Sequence, residues 1–127
     1  MTPAEFDTLR RSLGLSVDET AALCGVQDRT VRRWQSGAST IPDEAEQLLA
    51  DLEDAMGCAV ENVVELASDM TSAGPIVLWR YRTAEAQAAS PHASSLLPGA
   101  HAMMIGWSAD ALRAEGIDVR IEWADPS

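Results

Sequence analysis

Three arginines, Arg29, Arg32 and Arg33, stand within five residues of one another in the tract LSVDETAALCGVQDRTVRRWQSGASTIP, Leu15 to Pro42. Arginine is the side chain that can grip a guanine edge or a phosphate with two parallel hydrogen bonds. On a helix opened by Gln27 and closed by Gly37, Val31 and Trp34 share one face, while Asp28, Arg29, Arg32 and Arg33 fall on the other. One face is predicted core and the other is exposed cation. The chemistry such a helix can do is recognition of a nucleic-acid groove.

The elements that must position those arginines are legible around them. Ser16 followed by Glu19 is a capping box, which opens a helix at Val17 with Ala21 and Cys24 facing inward, and Gly25 stops it. A short turn through Val26 leads into the arginine helix, Asp28 to Ser36. Two helices meeting steeply need a small residue at closest approach, and Ala21 supplies it. This spacing is that of a helix-turn-helix. Upstream, Thr2, Pro3 and Glu5 predict a helix from Pro3 to Leu13 with Phe6, Leu9 and Leu13 inside.

With those residues in view, the segment resembles the Cro and repressor (XRE-like) helix-turn-helix class. WQSGASTIPD, the acidic helix after it and GWSADALRAEG near the C-terminus are similar to a narrower group, the YdiL-like and anti-CRISPR-associated (Aca-type) autorepressors. The resemblance implies an N-terminal DNA-binding part and a C-terminal dimerisation part. By motif position it makes Arg29 and Arg32 the base readers, with Gln27, Asp28 and Arg33 flanking them. Asp28 can accept from cytosine N4 or orient Arg32 one turn on, and orientation or capping is the stronger reading. Thr30, Ser39 and Thr40 are placed for phosphate contacts. The chain departs from the wider class at two points. Val17 stands where a glutamine often touches phosphate, and Gln35 stands where a glutamate often pairs an arginine, here Arg10. Arg10 is then left to bond the Gln35 amide oxygen or a phosphate.

Beyond Pro42 the chain becomes a long acidic helix. Ala45, Leu49, Leu52, Met56, Ala59, Val63, Leu66 and Met70 alternate steps of four and three, a coiled-coil or bundle pattern in which Gly57 can bend or break the helix. Ser72 to Pro75 end it. Ile76 to Arg82 and Asp118 to Trp123 read as strands, Thr83 to Ala89 and Ala100 to Glu115 as helices, and Ser90 to Gly99 as a loop. The fold expected is mainly α with a small α+β C-terminal part: a helix-turn-helix bundle with its connecting helix over 1–72 and a β-α-α-β dimerisation unit over 73–127. Two strands alone are marginal, so pairing with a second chain is expected. Trp34 and Trp79 are read chiefly as core, and Trp107, Trp123 and Trp79 are the candidates for a dimer interface.

Composition bounds the function. The net charge is -11, and all nine basic residues are arginine. The first forty residues are neutral, whereas residues 41–75 carry nine acids and no base, so the acid can point away from a duplex. Affinity should therefore lean on base contacts more than on bulk charge. Cys24 and Cys58 lack metal-ligand spacing and are read as reduced core thiols. His92 and His101 are isolated, no phosphate loop is present, and no enzyme, cofactor or metal is expected. The absence of a signal segment or membrane span predicts a cytoplasmic protein. The expected function is a homodimeric repressor on an inverted-repeat DNA operator, with its own promoter as the expected target. The alternative is an antitoxin that binds its operator and neutralises a toxin protein, and RNA binding by the same surface stays open.

Overall fold

The computed structural model describes residues 1–69, 74–90 and 96–124. In chain order its elements are α1 (Pro3–Ser12), α2 (Val17–Cys24), α3 (Asp28–Ser36), α4 (Asp43–Asp69), β1 (Ile76–Arg80), α5 (Ala84–Ala89), α6 (Pro98–Ala114) and β2 (Val119–Trp123). The protein is mainly helical with a small two-stranded sheet. Contacts divide it into residues 1–55 and 56–127, with the division inside α4.

In residues 1–55 the helix starts follow from side-chain caps. Thr2 Oγ1 accepts the Glu5 amide at 3.1 Å while the Glu5 carboxylate accepts the Thr2 amide at 2.7 Å, and Ser16 and Glu19 repeat the exchange at 3.0 and 3.2 Å. Gly25 (φ 68°) and Gly37 (φ 84°) end α2 and α3 in the left-handed region, which costs glycine no Cβ clash. Phe6, Leu13, Val31 and Leu49 are fully buried and Ala21 and Trp34 nearly so. The Trp34 ring meets Phe6 edge-on, with centroids 5.7 Å apart and planes at 86°. α3 thus packs against both α1 and α2.

α4 runs unbroken through Gly57, which settles the open question of a break there. One glycine costs a helix only about 1 kcal/mol. Along its apolar stripe Ala45, Leu49 and Met56 are buried, Leu52, Ala59 and Val63 are partly exposed, and Leu66 is 67% exposed. Met70, the last stripe position, and Ser72 lie outside the described residues. The core-thiol reading fails at Cys58, which is exposed because it lies off that stripe; Cys24 is half-buried.

In residues 56–127, β1 and β2 pair in parallel, from Ile76 opposite Val119 to Arg80 opposite Trp123. α6 lies against both strands, and Leu78 and Val119 join Ala100, Met104, Ile105, Ala109 and Leu112 as the buried core. Side chains alternate along a strand, so burying Leu78 turns Trp79 to the other face. Trp79 is accordingly 49% exposed, which corrects its assignment to the core. α6 begins at Pro98 rather than Ala100, since proline lacks only an N–H that the first turn leaves unpaired anyway. β1 stops two residues short of Arg82. Tyr81 instead turns its hydroxyl to Ser90 Oγ at 2.8 Å and its ring towards buried His101, 5.9 Å between centroids. Residues 91–95 of the predicted loop, His92 included, lie outside the described residues. Among those described, no helix is long and apolar enough to cross a membrane.

Candidate nucleic-acid interface

The site is a helix surface fixed from behind. Val31 and Trp34 anchor the inner side of α3 in the core, which leaves Arg29 and Arg32 exposed on its outer side. Among the described residues neither guanidinium enters a hydrogen bond or an ion pair, and both residues are exposed. Gln27 precedes the helix as its N-cap residue but makes no side-chain cap bond, and it too is exposed. Its amide stays available for an outside partner.

Asp28 lies beside a second acid as well as Arg32. Asp18 on α2, through side-chain hydrogen bonding and like charge, raises the Asp28 carboxyl above its ordinary value; Arg32 opposes the shift through its charge. The first turns of α2 and α3 therefore meet through two acids. Arg33 points the other way, with Nε donating to Ser39 Oγ at 2.9 Å and Nη2 to the Ala38 carbonyl at 3.5 Å. The Ser39 amide donates back to the Arg33 carbonyl at 3.2 Å. Arg33 and Ser39 thus stitch the loop after α3 to the helix that precedes it. Thr30 is half-buried, and Thr40 is exposed on the same loop.

Sequence reasoning missed Asp7. Its Oδ1 accepts from Arg10 Nη2 at 3.0 Å and from Gln35 Nε2 at 2.6 Å, and its Oδ2 accepts from Arg11 Nε at 2.9 Å. The Arg10 bond, and after it the Arg11 bond, hold the Asp7 carboxyl below its ordinary value. Arg10 is buried and also donates to the Leu15 carbonyl at 2.6 Å, so it reaches neither the Gln35 oxygen nor solvent. The acid expected on α3 is supplied from α1. The spacing of Asp7 to Arg10 and Arg11 was a visible signal; its bond to Gln35, 28 residues away, was not.

Of the interface candidates, Trp79 and Trp123 stand 49% and 43% exposed on β1 and β2, and Trp107 is half-buried on α6. Arg80 and Arg82 stack on the Trp123 ring at 5.0 and 4.9 Å from its centroid. No cluster of three or more His, Cys, Asp or Glu side chains able to hold a metal occurs among the described residues.

Two comparisons bear on this surface. The Aca2/YdiL-like family model matches residues 1–105. A 53-residue stretch is 42% identical to the Aca2 repressor of Pectobacterium phage ZF40 and covers 41% of this chain and 46% of that protein. The aligned part thus spans about half the length of that relative.

Proposed function

The chain belongs to the Aca2/YdiL-like family, and from that premise we propose that it is a repressor that binds an inverted-repeat DNA operator as a homodimer, regulating its own promoter. In this reading α2, its turn and α3 form the helix-turn-helix. α3 enters the major groove, Arg29 and Arg32 read base edges, and Gln27 and Asp28 flank them, while Arg33, turned onto Ala38 and Ser39, holds the loop after the helix. Thr30, Ser39 and Thr40 face phosphates. The observation that carries the reading is the pair of exposed arginines, in no hydrogen bond or ion pair among the described residues, on the outer side of a helix whose inner side is buried at Val31 and Trp34. The repressor name of the relative supports it.

Selection from a random duplex pool at fixed salt tests it. An enriched palindrome is expected, with half-site centres roughly 10 to 11 base pairs apart or a multiple of that. Light scattering should give the mass of two chains. Each lost bidentate contact is worth about 1 to 3 kcal/mol, so Arg29→Ala with Arg32→Ala should abolish operator preference while the protein stays folded. No enriched sequence, or full affinity in the double variant, overturns the assignment.

A further inference from the structure

We propose that Asp7 is a positioning residue that sets the rotation at which α3 presents Arg29 and Arg32; the inference rests on the DNA-reading assignment and deepens it. α1 and α3 touch through apolar surface, above all Phe6 against Trp34. Such contacts are non-directional and tolerate small rotations of one helix on another. The bond from Gln35 Nε2 to Asp7 Oδ1 is directional, and Gln35 lies three residues beyond Arg32 on α3.

The acceptor is itself fixed. Asp7 Oδ1 also accepts from Arg10, whose side chain is only 8% exposed and whose other amino group is bound to the Leu15 carbonyl. Arg10 Nε has no acceptor at all, so the guanidinium depends on Asp7 for charge compensation. Backbone, buried cation, carboxylate and amide thus form a chain that ends on α3. It has room for one carboxylate between positions 7 and 35: two at 2.6 Å would repel, and none would leave Arg10 buried without a counter-ion.

That constraint supplies the test. Asp7→Asn and Gln35→Glu are made singly and together in the full chain, with Arg11→Ala as a control for the exposed pair. The readout is the ratio of affinities for the selected operator and for scrambled DNA. Each single change should lower the ratio by roughly tenfold, and the double variant, which moves the acid across while keeping an amide–carboxylate pair beside Arg10, should recover most of it. Arg11→Ala should leave it unchanged. Backbone amide resonances of α3, recorded without DNA, should move in the singles and return in the double. Singles that melt earlier yet keep the ratio and the α3 resonances, or a double variant whose losses simply add, overturn the proposal. If the wild type shows no operator preference, the DNA-reading assignment fails, and the α3 resonances still decide the positioning role.

Discussion

Trp34→Ala is the perturbation whose size can be worked out most directly. The side chain is 3% exposed and packs edge-on to Phe6. A tryptophan buries about 150 to 250 Å², which at ~25 cal/mol per Å² corresponds to about 4 to 6 kcal/mol. Large-to-small changes of aromatic residues in cores cost about 3 to 5 kcal/mol, in agreement. Against this stands the stability of a 55-residue unit, about 3 to 8 kcal/mol at typical values per residue. The loss is as large as the reserve, so residues 1–55 should be mostly unfolded at room temperature in Trp34→Ala. Trp34→Phe, which keeps an aromatic edge for Phe6, should unfold far less. Thermal melting by far-UV dichroism, with the amide resonances of residues 1–55 to localise the effect, measures this. A 3 kcal/mol loss should lower Tm by more than about 12 °C in a unit this small. A drop below about 4 °C would refute the burial argument, and with it the claim that α3 is held from behind.

Three further outcomes follow from titratable groups. Burial raises the Cys24 thiol above its ordinary value, while Cys58 is exposed, so a disulfide reagent near neutral pH should label Cys58 quickly and Cys24 slowly; equal rates would refute the placement of α4's outer face. Asp18 raises Asp28, so on acidification Asp28 should take up its proton over a range above that of an ordinary aspartate, which removes negative charge beside Arg32. Operator affinity should rise over that range, and Asp28→Asn should flatten the dependence; an unaltered slope in that variant counts against the contact. Burial, then the charge of Arg80, lowers His101. The unfolded chain therefore takes up a proton first as pH falls below about 6.5, and stability is lost from there down to the lower folded value. Denaturant unfolding of wild type and His101→Gln across that range should converge at low pH, and parallel curves would count against a neutral buried imidazole.

What could be read from the sequence was local. Thr2 with Glu5, and Ser16 with Glu19, announced two helix starts, because a capping box closes within four residues, and Gly25 and Gly37 announced two stops for the same reason. Val31 and Trp34 showed which face of α3 is buried. The errors came where the answer depends on a distant neighbour. Trp79 reads as core in a chain of β-branched residues, but the sheet has two strands and α6 against it, so one strand face stays open. Parallel pairing was equally hidden, since it depends on how two helices carry the chain from Arg80 back to Val119. Cys58 is a different case. The stripe through Leu52, Met56, Ala59 and Val63 already excluded it, and the general habit of free cysteines to be buried was the poorer guide.

The distribution of arginine ties the site to its supports. Of the five in residues 1–40, Arg10 and Arg11 are bound to Asp7, and Arg33 is turned onto the loop at Ala38 and Ser39. Arg29 and Arg32 remain to meet a polyanion, in a chain with a net charge of -11. Each phosphate neutralised by a cation contributes a salt-dependence slope of about 0.9, so few cations mean little sequence-independent attraction. On the proposed reading, affinity must then come from base contacts, whose energy depends on geometry to within a fraction of an ångström. A reader with abundant lysine can tolerate a loosely held recognition helix, because non-specific charge keeps it on the duplex. On the proposed reading this chain cannot, and the backing of α3 by Phe6, Trp34 and the directional Asp7–Gln35 bond is what such economy of positive charge requires.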